Sequence, residues 1–222
     1  MKYIREKNEN SLINDFIKIF NKEILKKKKR KKRLSFVLTG GASPKNLYKR
    51  LSQANIDWSN VDLFWGDERF VSANSKNSNY KLAQDLLIKK IKIKKKNCFP
   101  FNTKNVDITK SAEDYEFKLR KYFKKKKIIF DIFLLGMGDD GHVVSIFPES
   151  KELKQKFVCK PIYRNDFKRL TLGLNIINDS KKIFLWLNDT SKFSIFKKFK
   201  RQDKKIPVNN LRKDKLNCFC VN

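Results

Sequence analysis

Three short apolar runs, each closed by glycine and polar residues, constrain this chain most. Leu34–Leu38 ends in Thr39-Gly40-Gly41, Val61–Trp65 ends in Gly66-Asp67-Glu68-Arg69, and the run 128–135 ends in Gly136-Met137-Gly138. Apolar runs this short read as buried strands. Between them the spacing turns helical. Leu12, Ile13, Phe16, Ile17, Phe20 and Ile24 make one stripe over 10–25. Helices are also predicted over 79–91, 111–123 and 191–200. Another is predicted to open at Ser43-Pro44, with Ser43 as cap and Pro44 at the first helical position. Strands are predicted at 170–174 and 183–187. Strands alternating with helices specify an α/β fold with a parallel or mostly parallel sheet and helices on both faces. No internal repeat or long linker interrupts the 222 residues, so 1–222 reads as a single domain.

Charge is the other strong signal. Lys and Arg number 53 against 23 acidic residues, a formal net charge of +30. Such a balance invites a nucleic-acid reading. The lysines, however, fall in every segment, including 26–29, 89–96, 124–127 and 197–205. They do not alternate with aromatics as a base-stacking surface requires. The expectation is therefore Lys use across the whole surface, in keeping with a codon bias toward A and T. Nucleic acid is then held only by non-specific charge attraction, while the field helps draw in an anionic substrate. The run KKKKRKKR at 26–33 has the look of a localisation or polyanion patch. Its place, between an amphipathic stripe and a buried strand, makes it the solvated end of a helix and the turn after it.

Four cysteines, Cys98, Cys159, Cys218 and Cys220, have neither zinc-site nor disulfide-framework spacing and read as reduced structural residues. A single histidine excludes a His-rich metal centre, and no metal is expected. No apolar run approaches the ~18 residues of a membrane span, and the first ten residues lack a signal-peptide core. A cytoplasmic protein with no membrane partner is expected.

All three glycine clusters follow strands, and ligands of open α/β sheets bind beyond the strands' carboxyl ends. Thr39-Gly40-Gly41-Ala42-Ser43 joins a strand to a helix start, a place whose free N–H groups and dipole suit a phosphate. Gly138-Asp139-Asp140-Gly141-His142 holds the only histidine beside two carboxylates. A histidine can accept a proton near neutral pH, and Asp139 or Asp140 can orient its ring. Arg69, Arg169 and Lys192 are the cations whose positions suit an anion contact.

Together these segments resemble the 6-phosphogluconolactonase family. The matching stretches are TGGASPKNLYKRL, DLFWGDERFV with the later NSNY, FDIFLLGMGDDGHVVSIFP and RLTLGLNIIN, in the family's order. The resemblance implies a Rossmann-like fold shared with glucosamine-6-phosphate deaminases. It implies hydrolysis of 6-phosphoglucono-1,5-lactone to 6-phosphogluconate in the pentose phosphate pathway, with no metal or organic cofactor. Carried over residue by residue, His142 is the general base, oriented by Asp140. Gly40, Gly41, Ala42, Ser43, Arg169 and Lys192 contact the phosphate, Thr39 binds substrate beside them, and Asp67 and Arg69 are polar groups near the sugar, with Arg69 or a loop N–H expected to serve the oxyanion. The acting unit is expected to be a monomer.

The chain departs from the pattern in places. Asp189 stands where a Gly-x-x-Lys turn has glycine, and its charge is expected to weaken phosphate binding. Lys168 replaces a proline and Val143 a threonine. A C-terminal Asp expected near Phe219 and Cys220, with a helix after it, is missing. The rivals are a deaminase-like sugar-phosphate isomerase and a basic nucleic-acid-binding protein on an inactive enzyme fold. Against the deaminase, Ser145-Ile146-Phe147-Pro148 follows the histidine where that pattern has Asn-Glu-Pro.

Overall fold

The computed structural model describes residues 1–104, 106–124, 126–199 and 203–222. In chain order the elements are β1 (Lys2–Glu6), α1 (Glu9–Lys29), β2 (Leu34–Leu38), α2 (Lys45–Gln53), β3 (Val61–Trp65), β4 (Asp67–Arg69), α3 (Asn79–Leu86) and β5 (Cys98–Phe99). Then come α4 (Ile108–Tyr122), β6 (Ile132–Leu135), β7 (Cys159–Tyr163), β8 (Lys168–Leu172), α5 (Leu174–Asp179), β9 (Lys182–Leu187), α6 (Thr190–Lys198) and β10 (Leu216–Val221).

Seven strands form one sheet in the order β1-β10-β9-β6-β2-β3-β5, with every pair parallel. Strands β2, β3 and β6 are buried along their whole length. That is why they read in sequence as continuous apolar runs and not as alternating ones. From β2 the chain winds outward to β3 on one side and returns through β6 on the other. The order therefore reverses between β2 and β6, where open α/β sheets place their ligands. The α1 stripe of Leu12, Ile13, Phe16, Phe20 and Ile24 is buried. Phe16 meets Phe184, Trp186 and Phe219 of β9 and β10 at ring-centroid distances of 5.6, 5.8 and 5.3 Å.

Several boundaries differ from the expectation, each for a local reason. Helix α1 runs on through Lys29, and Arg30 is its C-cap. Four lysines thus crown the negative end of the helix dipole. Ser43 caps nothing: Pro44 itself is the N-cap residue of α2, with no side-chain cap bond. The helix predicted over 79–91 stops at Leu86 and passes into a short 3-10 turn at Ile88–Lys90. The 111–123 helix starts three residues earlier, because Asp107 caps it through the N–H groups of Thr109 and Lys110. Strand β6 keeps only the last four residues of the run 128–135. At its mouth the Asp131 carboxylate instead accepts Ser35 N–H and takes Lys27 and Lys181 as ion partners. The last helix spans Thr190–Lys198; Lys200, with part of the 197–205 run, lies outside the described residues, as does Lys125 of the 124–127 run.

The largest correction concerns a second sheet. Strand 170–174 is shifted to Lys168–Leu172, and Leu174 opens α5. It does not join the parallel sheet. With β4 and β7 it forms a three-stranded antiparallel sheet in the order β4-β8-β7. Asp67-Glu68-Arg69, read as a loop, is thus a strand. Strands β1, β5, β7 and β10 were also unforeseen. Phe219 and Cys220, where the resemblance expects an Asp, are fully buried in β10 between β1 and β9. No disulfide joins the four cysteines. Among the described residues, no helix is long and apolar enough to cross a membrane.

Candidate active site

A cleft of about 230 Å³ opens at the carboxyl ends of β2, β3 and β6. It gathers the predicted residues from distant parts of the chain: Thr39, Gly40, Gly41, Ala42 and Ser43 after β2, Asp67 and Arg69 on β4, His142 after β6, Arg169 on β8 and Lys192 on α6. Asp140 is the one predicted residue outside the lining, and it touches His142 directly.

The strand ends that carry the site are pinned by tyrosines. Tyr48 of α2 accepts Thr39 N–H (3.0 Å) and donates its hydroxyl to Thr39 O (2.6 Å). Tyr115 of α4 does the same to Trp65, at 3.0 and 2.9 Å. Both hydroxyls are buried, and burial pushes each far above the usual tyrosine range, so both stay protonated. Across the switch point, Gly136 N–H donates to Thr39 Oγ1 (3.1 Å), tying the β2 loop to the β6 loop. Trp186 Nε1 holds the same loop from β9 through Ser43 O (3.2 Å).

His142 sits on a tight loop in which Gly138 N–H donates to His142 O (3.0 Å). A Cβ on Gly138 would stand 2.1 Å from the imidazole, so only glycine admits the ring. Asp140 Oδ1 accepts both His142 N–H (3.0 Å) and the ring Nδ1 (2.6 Å). Burial raises the Asp140 carboxyl, but the His142 N–H, the imidazole charge and the ring hydrogen bond outweigh it, and the net shift is downward. An ionised carboxylate can only accept, so the proton of neutral His142 sits on Nδ1 and Nε2 carries the basic lone pair. Phe147 packs on the ring at 4.7 Å. The following turn holds Val144 at φ 48°, a left-handed conformation costly for a β-branched residue. Val144 also lines the cleft.

The anion side is equally built. Arg69 and Arg169 are direct cross-strand partners on β4 and β8. Like charges in that relation repel unless an anion lies between them. Arg69 donates to Asn77 O (3.0 Å), and Arg169 is ion-paired with Asp166. The Nε of each is buried and has no partner among the described residues. Lys192 is ion-paired with Asp139. Asp189, which stands in the place of a glycine, adopts no left-handed turn. Its backbone is extended, and its side chain caps α6 by accepting Lys192 N–H (2.8 Å) and Ser191 Oγ (2.5 Å).

Sequence reasoning passed over three supporting residues. Asn79 is buried, lines the cleft, and donates from Nδ2 to Asp67 O (3.0 Å) and Oδ1 (3.3 Å). A Cβ on Gly40 would lie 1.9 Å from Asn79 Oδ1, so that glycine makes room for this side chain. Ser145 donates to Asp67 Oδ2 (2.7 Å). Both Asp67 oxygens are therefore engaged in holding β4 to its neighbours. Glu68 accepts N–H groups of Arg69 (2.8 Å), Asn79 (2.7 Å) and Tyr80 (2.7 Å) and the Ser78 hydroxyl (3.1 Å). Burial, the larger effect, still pushes its carboxyl up to about 7. The signal for Asn79 and Ser78 was an N-cap residue opening a helical stretch. For Glu68 only its neighbours in the Trp-Gly-Asp-Glu-Arg block hinted at a role.

The family model described as "Glucosamine-6-phosphate isomerases/6-phosphogluconolactonase" matches residues 7–219. The chain belongs to this family. Within it, a Synechocystis protein named 6-phosphogluconolactonase is 32% identical over 162 residues, 71% of this chain and 68% of that protein. The crystal structure of 6-phosphogluconolactonase from Thermotoga maritima superposes with a TM-score of 0.86 at 24% identity, covering 99% of this chain and 98% of that one. A monomeric glucosamine-6-phosphate deaminase superposes with a TM-score of 0.82 at 20% identity, covering 100% and 98%. Lactonase and deaminase members thus share this fold, and likeness at that level shows the fold alone.

Proposed function

We propose that this protein hydrolyses 6-phosphoglucono-1,5-lactone to 6-phosphogluconate, a step of the pentose phosphate pathway, with His142 as general base. The observation that carries this reading is that the His142–Asp140 pair opens onto the same cleft as two facing guanidiniums and Lys192. The names of the curated relatives point the same way.

In this mechanism the 6-phosphate is received by Arg169, Lys192 and the N–H groups of the Gly40–Ser43 loop. That seats the lactone carbonyl near His142. Nε2 removes a proton from water as its oxygen attacks C1. Arg69, or a loop N–H, offsets the charge that develops on the carbonyl oxygen. The imidazolium, held by Asp140, returns its proton to the ring oxygen as the C1–O bond breaks. Asp67 keeps β4 in place near the sugar. Every step uses the chain's own residues, and the reading calls for no metal or organic cofactor. It takes 1–222 as one domain acting as a monomer in the cytoplasm.

The test is formation of 6-phosphogluconate from fresh lactone above the spontaneous rate, beside the His142→Asn protein. Loss of a general base is expected to lower kcat about 10²–10⁴-fold with the fold intact. Equal rates for the two proteins would remove His142 from the mechanism. Release of ammonia from glucosamine 6-phosphate would replace the reaction itself.

A further inference from the structure

Both cations assigned to the phosphate are already occupied by carboxylates of the same chain. Lys192, only 21% exposed, is paired with Asp139, which is 77% exposed. Arg169, 8% exposed, is paired with Asp166, which is 53% exposed. The two acids come from separate segments, the loop after β6 and the turn before β8, and neither lines the cleft. The pattern is the same in each: an inward cation in the cleft wall and an outward carboxylate at its rim. The arrangement differs from that at Asp189, whose Oδ1 is committed to capping α6. It differs too from Asp140, which serves the imidazole. Among the described residues Asp139 takes no other hydrogen-bond partner, and Asp166 otherwise accepts only the N–H of its neighbour Phe167 (2.8 Å).

We infer that Asp139 and Asp166 are built-in competitors for the phosphate, which hold Lys192 and Arg169 in place and yield them to the incoming group. The inference rests on the proposed phosphate site and adds two specificity-determining residues to it. A carboxylate holds about one negative charge and a phosphate monoester close to two near neutral pH. The exchange therefore favours the phosphate, while a monoanion such as a sugar acid gains little by displacing a charge like its own. Exposed ion pairs are individually weak, so the acids tune affinity without closing the site.

The experiment compares wild type with Asp139→Asn and Asp166→Asn. Asparagine keeps an acceptor oxygen, including the one that serves Phe167, and removes only the charge. Two quantities are read: KM and kcat for 6-phosphogluconolactone, and the inhibition constant of inorganic phosphate. The expected result is a KM and a phosphate inhibition constant each about 3- to 10-fold lower in either variant. The kcat stays within about 2-fold, since neither acid meets the reacting atoms. Hydrolysis of unphosphorylated gluconolactone, which offers no group to either cation, should be unchanged. Unchanged or weaker phosphate binding in both variants would overturn the inference, the weaker case marking the acids as positioning partners of the cations. Failure of the underlying site looks different. There, inorganic phosphate would not compete even with wild type, and Arg169→Ala would leave KM as it was.

Discussion

At the residue scale the site depends on one proton. Its location follows from Asp140, which is held ionised and accepts from Nδ1. In the Asp140→Asn protein the ring loses both its orienter and the charge that stabilises the imidazolium. The kcat should fall about 10²-fold, with KM little changed because the phosphate contacts lie elsewhere. A loss confined to KM would put Asp140 on the binding side. Single residues also show what the sequence left open. Asp189 seemed a charge in the wrong place, judged against a glycine in the family pattern. In the fold it is an N-cap that orders the turn bearing Lys192. Its identity alone could not reveal this, because capping depends on where the helix starts.

At the scale of elements, two joints set the cleft. The first is the tyrosine staple on each strand end. Removing the Tyr48 hydroxyl strands a buried N–H and a buried carbonyl at Thr39, which should cost about 1–3 kcal/mol. Tyr48→Phe and Tyr115→Phe are expected to lose comparable stability in denaturant melts. Only Tyr48→Phe should also raise KM, since Thr39 lines the cleft and Trp65 does not. The second joint is Glu68, which ties β4 to the start of α3. Burial pushes its carboxyl up to about 7 from an ordinary value of 4.5. Between those values the native state binds more protons than the unfolded chain, so stability falls as pH rises from 4.5 through 7. The loss amounts to something on the order of 3 kcal/mol. Unfolding free energies of wild type across this range should show that slope relative to Glu68→Gln, which has no carboxyl to titrate. Parallel curves would refute it.

At the scale of the molecule, the question is where the net charge of +30 acts. The runs 26–33 and 89–96 precede β2 and β5, so they sit at the amino edge of the sheet, away from the cleft at its carboxyl edge. Fields from that edge are screened beyond about 10 Å at 0.1 M salt. The local cations Arg69, Arg169 and Lys192 must therefore do most of the attracting. Raising salt from about 0.02 to 0.5 M should lower kcat/KM for the phosphorylated lactone several-fold through KM, while kcat holds. The same series with unphosphorylated gluconolactone should be flat, and a salt effect of equal size there would contradict the argument.

The sequence alone determined the parallel sheet. Its central strands are buried on both faces, so Leu34–Leu38 and Val61–Trp65 had to be mostly apolar, Ser35 and Asp62 excepted, and were legible to the residue. It also determined most of the cleft, because glycine and polar clusters after such strands have one place to converge. The second sheet was decided by tertiary structure alone. Asp67-Glu68-Arg69 is too short and too polar to signal a strand, and it becomes one only because Lys168–Leu172 lies beside it. That pairing sets Arg69 opposite Arg169 across 100 residues of chain, and no local pattern carries such a distance. The pairings of Lys192 with Asp139 and Arg169 with Asp166 are of the same kind. They exist because packing brings side chains within reach, and the sequence records only that the charges are present.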